Sequence, residues 1–157
     1  MLFRSACPLC ARETDKDFRK DRQHHLDMYK IMKVFDADKI EQLDKMFMCG
    51  NYGDPAASSE SKSILSYVRS VNSSIVLGMN TNGGMQARYW WADLANILYK
   101  PRDYVVFSID GLEDTNHIYR RKVNWDRVME NAETFIAAGG NAHWEDRKST
   151  RLNSSHT

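Results

Sequence analysis

The sequence predicts an α/β fold built on a parallel sheet. Two observations lead there: short apolar or β-branched runs alternate with longer stretches of helical periodicity, and each run stops at a polar turn, most of them containing glycine. Strands that alternate with helices pair in parallel through right-handed crossovers, so the C-terminal ends of all the strands open on one edge. The polar turns lie where strand passes to helix, the edge at which such folds assemble their sites.

Each element has its own signal. Residues 11–25 are rich in charge and begin as a loop, and from His25 to Phe35 the residues Leu26, Tyr29, Ile31, Met32 and Phe35 recur at roughly helical spacing. Lys45 to Cys49 is a short apolar strand ending in a glycine-rich turn, with Cys49 expected as a buried hydrophobe and not as a metal ligand. Ser58 or Ser59 is positioned to cap a helix whose Ile64, Leu65, Val68 and Val71 form one stripe. Ser74 to Met79 reads as a buried strand, followed by Ala87, Trp91, Leu94 and Leu98 at helical intervals, with the Trp90-Trp91 pair expected as core and rim of that helix. Tyr104 to Ile109 is β-branched and aromatic and stops at Asp110-Gly111. Trp125, Val128, Met129, Ala132, Phe135 and Ile136 make the clearest helical face in the chain, Gly139-Gly140 ends it, and Asn141 to Trp144 begins another strand.

Both ends of the chain look foreign. Leu2-Phe3-Arg4-Ser5 and the run from Asp146 to His156 are similar to translated strands of a common sequencing adapter, so residues 1–5 and 146–157 are set aside and 6–145 is taken as the domain. Removing four basic residues (Arg4, Arg147, Lys148, Arg151) and one acidic (Asp146) from 22 and 21 leaves 18 against 20. That balance gives no attraction for nucleic acid or a membrane surface. The 157 residues, 42% hydrophobic, suffice for one core and contain no apolar run of the ~20 residues a membrane helix needs. Three cysteines, Cys7, Cys10 and Cys49, make no disulfide framework, and a reducing cytosol is the expected compartment.

Four motifs follow one another: Ala6-Cys7-Pro8-Leu9-Cys10, Cys49-Gly50-Asn51-Tyr52-Gly53-Asp54-Pro55, Thr81-Asn82-Gly83-Gly84 and Phe107-Ser108-Ile109-Asp110-Gly111. In this order they resemble the core of radical S-adenosylmethionine (radical SAM) enzymes. The resemblance covers nearly all of 6–145 and implies a partial (β/α) barrel, an incomplete TIM barrel, whose first strand and C-terminal strands are missing from this chain. The family pattern is Cys-x-x-x-Cys-x-Φ-Cys, Φ being an apolar or aromatic residue, and Cys7, Leu9 and Cys10 match its last two cysteines and the apolar position. The first cysteine falls on Phe3, inside the adapter-like head. Thiolates are soft donors suited to iron–sulfur clusters. The resemblance therefore implies that Cys7 and Cys10 ligate a 4Fe-4S cluster and that the expressed chain is inactive.

The same resemblance implies the S-adenosyl-L-methionine contacts. Leu9 belongs to the cluster loop. Gly53, Asp54 and Pro55 match the Gly-Glu-Pro-like turn that receives the ligand ammonium, with aspartate shortening the reach. Thr81 and Asn82 match a Thr-Asn-Gly turn at its methionine end, and Ser108 or Asp110 would take the ribose hydroxyls. Asn116 to Arg120 resembles the family's His-Asp-x-x-Arg stretch, and Arg120 is expected in a structural ion pair. The implied reaction reduces the sulfonium to a 5′-deoxyadenosyl radical that abstracts a hydrogen from a substrate, a peptide or small molecule that nothing in the sequence identifies. It needs an electron donor such as flavodoxin or ferredoxin.

Each motif also has an ordinary reading: Gly, Asp and Pro make turns, and Asp110 can cap a helix. His24-His25 and His143 lack the partner spacing of a metal site, and Glu113-Asp114 reads as a solvated helix start. Two other functions stay open. One is a thiol–disulfide oxidoreductase using the Cys7/Cys10 pair, for which the charged run after Cys10 is a poor buried helix start. The other is a non-catalytic interaction scaffold, in which the motifs would not converge.

Overall fold

The computed structural model describes residues 7, 8, 10, 27–50 and 53–146. Leu9, Phe3, His24-His25 and both adapter-like ends except Asp146 lie outside them. Four strands, β1 (Lys45–Met48), β2 (Val76–Thr81), β3 (Tyr104–Ser108) and β4 (Ala142–Glu145), form one sheet in the order β1-β2-β3-β4, all parallel. The helices are α1 (Met28–Val34), α2 (Ala37–Glu41), α3 (Ser61–Val71), α4 (Arg88–Ile97), α5 (Asn116–Tyr119) and α6 (Trp125–Ala137), with a 3₁₀ turn at Pro55–Ala57. An α/β architecture with a parallel sheet is therefore present. Consecutive strand order with right-handed crossovers keeps the connecting helices on one face.

That face holds the core. Leu77 and Met79 of β2 and Val105 and Phe107 of β3 point into one cluster with Leu65 and Val68 of α3, Trp91 and Leu94 of α4, and Val128 and Phe135 of α6. Phe107 sits at its centre, its ring 5.3 Å from Trp91 and 6.3 Å from Phe135. The alternate residues line the opposite face: Phe47 packs on Tyr104 at 5.4 Å, His143 on Tyr104 at 5.2 Å, and Lys45 Nζ donates to the Tyr104 hydroxyl at 2.7 Å.

The structure corrects several expectations. Cys49 is exposed, because Met48 takes the core side and the next residue passes to the other. Trp90 and Trp91 are both core. Neither Ser58 nor Ser59 caps α3: Ser58 Oγ accepts from Glu60 N, and Glu60 occupies the cap position without a side-chain bond. β2 runs two residues later than predicted at each end, which puts Thr81 inside the strand. Ile136, assigned to the buried stripe of α6, is 55% exposed. α2, of five residues, is too short to show a period and was not anticipated, whereas α5, of four, begins just after the Glu113-Asp114 pair read as a helix start.

The N-terminal edge of the sheet is a buried polar knot. Arg69 of α3 pairs with Asp103 at 2.5 Å and donates to the Ile75 carbonyl, while Asp103 accepts from the amides of Leu77 and Lys100. Asn72 donates to the carbonyls of Ile40, Glu41 and Leu43 and accepts from Ser74 and Ile75, tying α2 and the lead-in to β1 onto the start of β2. With these groups at one edge, the other edge is left to the motif turns.

Candidate functional site

All four strand ends meet at a polar cleft of about 190 Å³, lined by Gly50 beyond β1, Asn80, Thr81 and Asn82 at β2, Ser108 at β3, Glu145 at β4, and by Asp54 and Arg120 from the loops. Of the residues singled out in the sequence, Asp54, Thr81, Asn82 and Ser108 line it. Asp110 does not: it is buried behind Arg120, whose Nε lies 2.6 Å from the Asp110 carboxylate. The structural ion pair expected for Arg120 is present, and Ser108 is the member of the Ser-Ile-Asp-Gly turn that faces the cleft.

Asp54 holds two motif turns together. Its Oδ1 accepts from Ala56 N at 2.9 Å and from the Thr81 hydroxyl at 2.8 Å, and its Oδ2 accepts from Asn82 N at 2.6 Å. The first bond makes Asp54 the cap of the 3₁₀ turn, in which Pro55 is buried. The ordinary turn role of this motif is therefore present, and the same carboxylate bridges to the Thr81 turn, with its Oδ1 fully used. Burial pushes its pKa above the ordinary 3.8, opposed by the three donors and by Arg120. For a carboxyl raised in the fold, stability is greatest below the ordinary value and declines as pH rises until the folded value is passed. Asp54→Asn is expected to lack that decline, as measured by urea unfolding at steps between pH 3.5 and 7.

The Thr81 turn is fixed from behind. Thr81 Oγ1 accepts from Gly83 N, Asn82 Oδ1 accepts from Gly84 N, and Asn131 of α6 donates to the carbonyls of Gly83 and Met85. Gly83 has φ +73°, and a Cβ there would stand 2.8 Å from the Phe107 ring. Gly83→Ala is expected to destabilise by about 1–3 kcal/mol, read as a lower urea midpoint at unchanged slope.

The cysteine turn reaches the same place through Arg120. Cys10 N donates to the Cys7 carbonyl at 3.1 Å, Cys7 is buried, and Arg120 Nη1 lies 3.8 Å from its sulfur. Tyr119, at the end of α5, lies beside the two cysteines, and its phenol is pushed up by burial first and then by Cys7. One guanidinium thus touches the cysteine turn, the end of β3 and the cleft. Gly53 is half-buried beside the cleft without lining it.

Asn80, Gly50 and Glu145 line the cleft and were not anticipated. Asn80 sits inside an apolar strand and Glu145 borders the adapter-like tail; the only available signal was their place at strand ends. Compared with protein-family models the chain matches none, and no curated protein matches it.

The fit of the implied groups differs. The cleft offers hydroxyl, amide, carboxylate and guanidinium groups, a donor and acceptor set suited to a zwitterionic nucleoside such as S-adenosylmethionine. For the cluster the chain supplies Cys7 and Cys10, and the first cysteine position of the pattern is Phe3. Among the described residues no group of three or more His, Cys, Asp or Glu is arranged to hold a metal ion. The residue types present therefore suit the polar groups of the nucleoside, and supply the cluster's ligands only in part.

Proposed function

We propose that this chain carries the cofactor-binding face of a radical SAM enzyme, with S-adenosyl-L-methionine as ligand of the strand-end cleft. The observation that supports this most is a convergence: the turns at Asp54, Thr81 and Ser108 line one cleft, and Arg120, which lines it too, reaches the buried Cys7, which does not. An interaction scaffold has no need of that gathering.

In this reading the protein's task is to bind and orient. Asp54 fixes the Thr81 turn against the 3₁₀ turn, so that backbone groups near Gly53 and the remaining lone pair of Asp54 Oδ2 face an ammonium. Ser108 offers a hydroxyl to a ribose. Arg120 keeps the cysteine turn against the end of β3. The cluster, when bound, supplies the electron that splits the carbon–sulfur bond of the sulfonium, chemistry that belongs to the cofactors while the protein positions them. With Phe3 in place of a thiolate, the chain as it stands is expected not to complete that cluster.

Anaerobic reconstitution with iron and sulfide tests the proposal. Phe3→Cys is expected to develop charge-transfer absorption and, with dithionite and S-adenosylmethionine, to release 5′-deoxyadenosine, while adding Cys7→Ala or Cys10→Ala abolishes both. A Phe3→Cys chain that binds neither iron–sulfur cluster nor S-adenosylmethionine would overturn the reading. In a separate incubation without iron, sulfide or dithionite, a Cys7–Cys10 disulfide formed by exchange with oxidised glutathione, with release of two reduced glutathione molecules, would favour the oxidoreductase alternative.

A further inference from the structure

Asn80 stands on β2 with Val106 of β3 as its register partner, on the face away from the helices, and it lines the cleft. Its carboxamide oxygen is shielded from solvent and accepts no hydrogen bond among the described residues. A shielded carbonyl-type acceptor without a donor is costly and is normally satisfied. Three donors of the same turn are engaged elsewhere: the Thr81 hydroxyl and Asn82 N are given to Asp54, and Gly83 N to Thr81 Oγ1. Asn82 Oδ1, by contrast, is satisfied by Gly84 N. Asn80, which lines the cleft, is thus an amide side chain of this edge whose acceptor is unused among the described residues.

We propose that Asn80 is a ligand-binding residue, its Oδ1 accepting a hydrogen bond from an amino or ammonium group of the molecule held in the cleft. The assignment rests on the reading above for its ligand, S-adenosylmethionine. The orphaned oxygen itself does not depend on that reading.

Two arms of one experiment separate the two claims. In the first, Asn80→Val, which fits a strand and removes the acceptor, is expected to raise the melting temperature of the ligand-free chain; Asn80→Asp, which keeps acceptors, is the control and is expected not to raise it. A drop in melting temperature for Asn80→Val would mean that the oxygen is satisfied within the fold, and the proposal would fall. In the second arm, calorimetry uses the Phe3→Cys chain, reconstituted, with S-adenosylmethionine and two analogues, one without the α-amino group and one with a 6-oxo group in place of the adenine amino group. Asn80→Val is expected to weaken S-adenosylmethionine about tenfold, the scale of one hydrogen bond. It is further expected to bind one of the two analogues no more weakly than the unsubstituted chain does, and that analogue names the donor. Equal binding of S-adenosylmethionine by both chains would overturn the role of Asn80 and leave the proposed function standing. No binding by the unsubstituted chain would overturn the proposed function, and the role of Asn80 in this ligand with it.

Discussion

Asp103→Ala is expected to lower stability by about 3–5 kcal/mol, because it strands a buried guanidinium. Asp103 is fully buried and Arg69 is 8% exposed, so solvent does little to screen the pair or to replace it. The loss does not stop at the ion pair, since the amides of Leu77 and Lys100 lose their acceptor as well. Those groups register β2 against the lead-in to β3, so the damage falls on the edge opposite the cleft. Replacing both partners together, Arg69→Met with Asp103→Leu, is expected to recover much of the loss, as paired apolar replacements of buried ions often do. Urea unfolding of the single and double variants gives the comparison. A single variant within 1 kcal/mol of the parent chain, well below the ~3 kcal/mol expected for a buried pair, would show that water reaches this knot.

Asp54→Ala is expected to cost about 2–4 kcal/mol, from three donors left without their acceptor. The Thr81 hydroxyl is buried, so water replaces the lost carboxylate poorly there. The raised pKa limits the effect from the other side, because burial already works against the charged form. Asp54→Asn is expected to lose about half as much: its carbonyl keeps one set of bonds while its NH₂ meets another donor. The functional consequence is larger than the stability loss. With the 3₁₀ turn released from the end of β2, the cleft loses its wall, and S-adenosylmethionine binding by the reconstituted Phe3→Cys chain is expected to fall more than tenfold. Calorimetry beside urea unfolding measures both. Asp54→Ala with unchanged affinity would remove Asp54 from any account of the site.

Much of this architecture was legible before the coordinates. The stripe of α6 and the strands β2 and β3 declare themselves because many residues repeat one period, and burial follows period. The cleft was legible where a turn carried polar residues in a recognisable order, at Asp54, Thr81, Asn82 and Ser108. What stayed hidden were single polar residues whose role comes from where the chain puts them. Arg69, Asn72 and Asp103 have no pattern of their own, and Asp103 reads as a turn residue after Pro101. Asn80 is masked by the apolar run around it. Cys49 was misjudged because residue type suggested burial, whereas strand alternation, applied from Met48, would have turned it outward. Asp110 carried the right partner type but the wrong surroundings, its carboxylate meeting Arg120 and not the cleft.

One contact bears on when the molecule becomes competent. The turn after β2 is held by Asn131, whose bond to the Gly83 carbonyl spans 48 residues of sequence. A ribosome that has released only the first two strand–helix units has therefore produced a Thr81 turn that Asp54 already holds but whose Gly83 carbonyl still lacks its Asn131 donor. The geometry is acquired when α6 docks, a non-local step and slower than the local helices before it. A chaperone that delayed α6 would therefore hold back the finished turn together with the part of the core that Val128 and Phe135 complete.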